Sequence, residues 1–517
     1  MKEQNKINLD MPLMRFGDGF GSNNWTLRDA CCGTAVFGAT GAGKTSSSGR
    51  KIAMAFLNNG FGGLVLTAKI EDKETFLQYC IEAGREHDLI VIDPDVANGH
   101  RFNFLEYESM LSDGNKALTT NIVELLMTVI EASSQKMGGT SDDGFWVAAV
   151  RMLIANVIDL CSLAFGKVTV ENIYNIVQSL PEPEIPTVKG NEGKEAKEPT
   201  AFELAYALAA KNVHAQVDKW KATNISNPDL KITDLQSFTK AVNDALPDAR
   251  IFSFLAEYFY RSLKSLSPKT KSVITYTVSG FLYNLLREPI YSLFCNRSST
   301  VVPEDCFHGK IILINLPVKR YHNVGKSCQM IVKYCWQRAM EKRKITDRPL
   351  PVFLFADEAQ HFVFESDSEF QATARSSWIC NVVLTQNLPN FYVAMGSDKT
   401  EYRVKSLLGN FGTKIFHANT CIETNKWASD LIGEAEVFNP SNSYGFTTKE
   451  VNRGTSEALQ LKKVVRPEDF VRLKTGGPQN NYMVQAIIHR QGKPFPDGEN
   501  YKRLTFYQHQ NSSNNSL

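Results

Sequence analysis

Seven short runs of apolar and β-branched residues recur along the chain, each ending in turn or polar residues, with helical periodicity between them. They are Thr34–Phe37, Gly63–Thr67, Leu89–Ile92, Lys310–Asn315, Val352–Phe355, Asn381–Thr385 and Lys414–His417. Their apolar positions are consecutive, not alternate, so both faces of the sheet they form must be covered. The pattern predicts an α/β fold with a mainly parallel sheet. From about Glu106 to Ser299 helical spacing takes over, in Ala117–Ile130, Phe145–Leu163, Ala201–Trp220, Leu235–Ala245 and Lys271–Leu286. The expected division is an α/β domain, 1–105 with 300–517, interrupted by an inserted all-α domain, 106–299. Within the insertion, Pro181–Thr200 is rich in Pro, Glu, Lys and Gly and reads as a flexible loop. The polar tail from His509 is expected to fray.

A length of 517 residues agrees with more than one domain. The balance of 43% apolar and 22% charged residues is that of a soluble globular protein, not of a disordered or fibrous one. A formal net charge of +2 neither requires nor excludes a nucleic-acid partner. The ten cysteines are scattered, with no CxxC pair, which favours reduced cytosolic thiols over a zinc or disulfide framework. The N-terminus has no apolar core of a signal peptide, so export by that route is not expected. The longest apolar stretch, Phe145–Phe165, contains Arg151 and Asp159. Each would cost about 2.5–3.5 kcal/mol near a bilayer centre, so a buried helix is expected there and not a membrane span.

The chemistry begins where Thr34–Phe37 runs into Gly38-Ala39-Thr40-Gly41-Ala42-Gly43-Lys44-Thr45, followed by a helix from about Ser46. Strand, GxxxxGK[ST] and helix in that order make a P-loop. Its glycines let backbone N–H groups curl round an anion, the helix N-terminus adds its positive end, Lys44 reaches the β- and γ-phosphates, and Thr45 ligates Mg²⁺. ATP and Mg²⁺ are the expected cofactors; the plain alternative is a glycine-rich turn. A second element, Pro351-Val-Phe-Leu-Phe-Ala-Asp357-Glu358-Ala-Gln, is a buried strand ending in two carboxylates, a Walker B pattern. Asp357 suits Mg²⁺ and Glu358 suits the attacking water. Gln386, after the strand ending at Thr385, is a candidate γ-phosphate sensor or an ordinary turn residue. Arg375 is a candidate arginine finger toward a neighbouring subunit or a solvated helix-face arginine.

With these landmarks the chain resembles the coupling ATPases of type IV secretion and conjugation, the TraG/TraD group of the HerA/FtsK class. The likeness includes Leu64-Val-Leu-Thr-Ala-Lys69, Val91-Ile-Asp-Pro94, the helix at Phe145-Trp146, Leu266-Ser-Pro-Lys-Thr270, Phe391-Tyr392 and Leu408-Gly-Asn-Phe-Gly-Thr-Lys-Ile415, with Thr424 and Ala428-Ser429 beyond it. The resemblance implies a RecA-like domain with an inserted all-α domain. It also implies a hexameric ring with ATP between subunits, and a central channel for single-stranded DNA or a relaxase-bound strand. Two positions depart from the pattern. Most members carry membrane helices before the P-loop, whereas the residues preceding Gly38 here cannot span a bilayer. Where the family presents Asp-Pro-Lys, this chain has Thr-Ala-Lys69, so only the lysine carries over. A cytoplasmic protein reaching the inner membrane through a separate partner is expected.

The leading reading is an ATP-driven DNA-translocating motor of a conjugative secretion system, with relaxase and secretion-channel proteins as partners. A receptor that recruits protein substrates to the channel, and a HerA/FtsK-type motor of a defence or repair complex, stay open. For DNA contact the candidate is the loop Pro317–Lys326 after Lys310–Asn315, with Lys319, Arg320 and Lys326 toward phosphates and Tyr321 toward bases. The same loop also reads as an ordinary solvated turn.

Overall fold

A computed structural model describes residues 8–16, 24–111, 118–134, 143–181, 198–224, 234–345, 350–396, 400–446 and 451–508. Most of the expected flexible loop Pro181–Thr200 and the tail from His509 lie outside the described residues. The chain divides into two compact units, 1–91 with 303–320 and 336–517, and 92–302 with 321–335.

The first unit is built on a nine-stranded sheet. In chain order its strands are β1 Thr34–Phe37, β2 Gly62–Leu66, β3 Leu89–Ile92, β4 Ile311–Ile314, β5 Val352–Ala356, β6 Ile379–Thr385, β7 Thr413–His417, β8 Met483–Arg490 and β9 Tyr501–Tyr507. Across the sheet they run β9-β8-β7-β1-β6-β5-β2-β4-β3. β7, β1, β6, β5, β2 and β4 pair in parallel, whereas β8 is antiparallel to β7 and to β9. All seven sequence-read strands are present within a few residues. The central ones, TAVF, GGLVL, IILI and VFLFA, are buried along their whole length, as covered parallel strands must be. Two glycines open β2 because nothing larger fits. A Cβ at Gly62 would lie 2.1 Å from the Cys306 carbonyl oxygen, and one at Gly63 would lie 2.6 Å from the Phe353 ring.

The antiparallel pair β8–β9 has no counterpart among the expected strands. β9 is an edge strand, YKRLTFY, on which half-buried Lys502 and exposed Arg503 place charge that discourages pairing with another chain. The helix after the P-loop, Arg50–Asn58, buries Ile52, Ala53, Phe56 and Leu57 on the sheet. Phe56 stacks on Phe61 and Phe353 with ring centroids 5.5 and 5.3 Å apart. A long two-stranded hairpin, Glu434–Phe446 with Val451–Lys463, leaves the sheet after the helix Ile422–Ile432.

The second unit is helical. Thr169, Asp234 and Ser267 cap the helices Val170–Gln178, Leu235–Ala245 and Pro268–Leu285, each accepting a hydrogen bond from the backbone N–H three residues on. Its long apolar helix spans Asp143–Phe165, and Gly144–Phe165 is long and apolar enough to cross a membrane by length and composition. Inside this unit Arg151 pairs with Glu124, Thr119 donates to Asp159, and Leu153, Ile154, Val157, Ile158 and Leu160 are buried. Satisfied charges and a buried apolar stripe are the properties of a core helix.

Candidate nucleotide site

The P-loop closes round the carboxyl end of β1 because its first N–H groups are taken by neighbouring strands. Gly38 N–H donates to the carbonyl of Thr385, the last residue of β6 (3.2 Å), and Ala39 N–H to the Ala418 carbonyl just beyond β7 (2.9 Å). Gly41 and Gly43 then adopt φ of 76° and 81°, which residues with a Cβ resist. At Gly43 the space is also closed, since a Cβ would lie 2.6 Å from Val484 of β8. The chain enters its helix through a π-helical turn, Thr45–Gly49, where the Ser47 hydroxyl donates to the Gly43 carbonyl at 2.6 Å.

Lys44 is buried, and its Nζ lies 3.4 Å from Glu358 Oε1. Thr45 Oγ1 donates to Asp357 Oδ2 at 2.7 Å. Lys69, from the loop after β2, reaches Asp357 Oδ2 at 3.3 Å and Glu358 Oε1 at 3.4 Å. Glu358 itself sits in the left-handed region (φ 50°, ψ 48°), an unusual backbone for a residue with a side chain, and here one that turns the carboxylate into the cleft. Gln360 Nε2 donates to Glu358 Oε2 at 3.0 Å, and Gln386 Nε2 reaches both oxygens at 3.3 and 3.4 Å. Burial opposes ionisation of Glu358, but Lys44, the Gln360 hydrogen bond, Lys69 and Gln386 outweigh it and bring the carboxyl down to about 2. The acid is therefore a carboxylate held by four donors. A cleft of about 410 Å³ opens here, between the P-loop residues on one side and Lys69, Lys319, Glu358, Gln360, His361, Gln386 and Gln508 on the other.

Beneath the P-loop, fully buried His417 donates from Nδ1 to the Gln485 carbonyl (3.2 Å), which leaves Nε2 to accept from the Ser48 hydroxyl at 2.7 Å. Burial pushes this imidazole down to about 3, so the ring is neutral.

The structure thus brings together Lys44, Thr45, Asp357, Glu358 and Gln386. Arg375 is elsewhere: exposed on a short 3₁₀ turn, Ala374–Ser377, it lines a separate cleft with Asp29, Gln371, Asn410 and Arg490. The expected loop Pro317–Lys326 is corrected. Pro317 caps a helix, Val318–Lys342, which is broken at His322 (φ 47°, ψ −133°). Lys326, expected to meet DNA phosphates, is buried in that helix with Nζ 3.4 Å from the Ala132 carbonyl. Lys319 is exposed but borders the P-loop cleft, Arg320 is exposed, and Tyr321 is half-buried. Sequence reasoning passed over Gln360, His417 and Gln508. Gln360 stood two residues past the paired acids, whereas His417 and Gln508 carried no local signal.

Fold and site together define a RecA-like P-loop NTPase architecture. Residues 351–475 match the family described as the TraM recognition site of TraD and TraG. No curated protein matches by sequence. Among solved structures, the unbound bacterial conjugative coupling protein TrwBdeltaN70 is similar at 13% identity and TM-score 0.59, over 98% of this chain and 90% of that one. The plasmid coupling protein TrwB in complex with GDPNP (13%, TM-score 0.55, 95% and 90%) and with ADP and Mg²⁺ (13%, TM-score 0.54, 94% and 88%) are similar too. The resemblance read from the motifs is borne out: the 351–475 segment is similar to TraD and TraG in sequence, and the chain has the fold of a conjugative coupling protein.

Proposed function

We propose that this protein is an ATP-driven coupling motor of a conjugative type IV secretion system, hydrolysing ATP to move DNA or a relaxase–DNA complex toward the secretion channel. The observation that carries the reading is the convergence of Lys44 and Thr45 on Glu358 and Asp357, in a chain whose 351–475 segment matches a TraD and TraG family. The relative TrwB has been seen with ADP and Mg²⁺, which supports the same ligands here.

The residues fit both. Positive-φ glycines leave backbone N–H groups free to face phosphates, and the Thr45 hydroxyl and Asp357 carboxylate, 2.7 Å apart, are hard oxygen donors suited to Mg²⁺. Thr45 and Asp357 would hold the ion, which supplies neutralisation of charge on the β- and γ-phosphate oxygens. Lys44 trades Glu358 for phosphate. The released carboxylate, still held by Gln360 and Gln386, accepts a hydrogen bond from the attacking water. The water oxygen bonds to the γ-phosphorus as the bond to the bridging oxygen of ADP breaks, and the water proton passes to Glu358. Arg375, remote from its own P-loop, acts on a neighbour's nucleotide in a hexamer. Arg320, with Lys319 and Tyr321 beside it, contacts single-stranded DNA, and a separate partner brings the protein to the inner membrane.

The receptor reading is favoured by one observation, that the matching family is described as a recognition site for another protein, TraM. Steady-state ATPase activity with and without single- and double-stranded DNA, read beside oligomer mass, separates the two. Stimulation by DNA in a hexamer is expected. Stimulation by a partner protein and not by DNA would favour the receptor, and an absence of hydrolysis throughout would overturn both.

A further inference from the structure

β8 and β9 bring the C-terminal part of the chain back to the P-loop. One hydrogen bond past the end of β9, Gln508 N–H donates to the Tyr482 carbonyl at 2.9 Å, which fixes where its side chain starts. Its amide is then held at both ends: Oε1 accepts from Gly477 N–H (2.8 Å) and Nε2 donates to the Ser46 hydroxyl (2.9 Å). The slot is made by glycine. A Cβ at Gly476 would lie 2.4 Å from Gln508 Oε1, so any side chain there would collide with the amide unless it moved. Gly476 and Gly477 also have φ of 84° and 75°, a backbone that other residues resist.

Gln508 lines the same cleft as Lys44 and Glu358, but its bonds go to Ser46 and Gly477 and not to the acids. This location has a chemical meaning. The γ-phosphate must lie beside Glu358, because the attacking water is polarised there, and Lys44 and Thr45 serve the β- and γ-phosphates. The rest of the nucleotide extends away from the acids, past the next residue along the helix start, which is Ser46. Beyond those two bonds the neutral amide keeps a second N–H and a second oxygen lone pair, which suit a ribose or base edge better than a phosphate chain, which the lysine and backbone N–H groups already serve.

We propose that Gln508 closes the nucleoside end of the cleft and hydrogen-bonds the sugar or base of the bound nucleoside triphosphate, so that the antiparallel extension β8–β9 selects a nucleoside over a bare polyphosphate. This rests on the nucleotide reading above. It makes Gln508 a specificity-determining residue supplied from the far end of the chain.

The test measures affinity for ATP and for inorganic tripolyphosphate, with Mg²⁺, in the full chain and in Gln508→Ala. ATP binding is expected to weaken about five- to tenfold on loss of one or two hydrogen bonds, with tripolyphosphate binding unchanged. In turnover the change should fall on KM, with kcat within about twofold. Gln508→Glu keeps the size and the acceptor but loses the donor, and is expected to fall between the two. An unchanged ATP affinity in Gln508→Ala, or an equal loss for both ligands, would overturn the proposal, the second because it marks a general disturbance of the P-loop. Binding of neither ligand by the unaltered chain would overturn the nucleotide reading, and this inference with it.

Discussion

At the carboxyl edge of the sheet Lys44 and Lys69 face Asp357 and Glu358 across 3.3–3.4 Å, whereas at the amino edge Arg490 and Lys493 hold Asp29 at 3.0 and 2.8 Å. Lys44, Lys69 and Glu358 line one cleft of about 400 Å³, and Asp29 and Arg490 line another in the same unit. At the carboxyl edge the lysines share their acids, the contacts are long, and glycines leave N–H groups open, so each cation can exchange a carboxylate for a phosphate at small cost. At the amino edge Arg490 is encased at 2% exposure, with its guanidinium 5.3 Å over the Phe495 ring and a second bond to the Asn24 carbonyl. Asp29 also closes the capping box of the helix Leu27–Cys31 with Thr26. Similar charges therefore serve opposite ends: loose pairing makes a site that can rearrange, and tight pairing makes a strut.

Arg375 is the residue that would break this contrast, since it lines the amino-edge cleft yet is proposed to serve catalysis in a neighbour. Arg375→Ala is expected to cut turnover about a thousandfold while ATP binding persists. Mixing it with Lys44→Ala subunits should restore hydrolysis at interfaces where an intact P-loop meets an intact arginine. No recovery in oligomers shown by mass to be mixed would leave the amino edge purely structural.

Glu358→Gln sharpens the other side. The amide keeps the shape but cannot take a proton, so turnover should fall about a hundredfold or more with ATP retained. Loss of ATP binding in an equilibrium assay would instead give Glu358 a structural task like that of Asp29.

Asp29→Ala is expected to cost about 3 kcal/mol of stability, because it strands the buried Arg490 charge and removes a helix cap. Denaturant unfolding measures the loss. Nucleotide affinity, titrated well below the melting temperature, should stay as it was; a matching drop in affinity would mean the two edges are coupled.

Within the window from pH 6.5 to 5 the smallest effect concerns His417. Its folded pKa, about 3, lies below its ordinary 6.5, so the unfolded chain binds the extra proton first. The stability that neutral His417 contributes is complete above pH 6.5 and is lost as pH falls toward 3, at up to about 1.4 kcal/mol per pH unit. His417→Asn should flatten the melting-temperature profile between pH 6.5 and 5 relative to the unaltered chain, and parallel profiles would show that the ring is not protonated on unfolding.

The P-loop and the paired acids were legible in the sequence because each is a local device. Gly38 to Thr45 carry their φ requirements and charges within eight consecutive residues, and Asp357-Glu358 follow directly on a strand whose burial is written in its own composition. The seven expected strands were legible for the same reason. Lys69 was named only through the family likeness, since a lysine after a strand has no chemistry until Asp357 and Glu358 are opposite it. For Lys326 the reading failed on burial: Lys319 and Lys326 look alike in sequence, but the helix from Val318 turns one to solvent and the other toward the Ala132 carbonyl. β8 and β9, with alternating and charged positions, did not match the continuous apolar pattern that marks covered strands, and their place beside β7 brings Gln485 to His417 and Gln508 to Ser46. The sequence alone determined which residues could bind phosphate and Mg²⁺, because those requirements are met within short segments. Only the tertiary structure decided what holds Glu358, what supports the P-loop from below and what closes the cleft, because those bonds join residues that the sheet order, and not their sequence neighbourhood, brings within 3.4 Å.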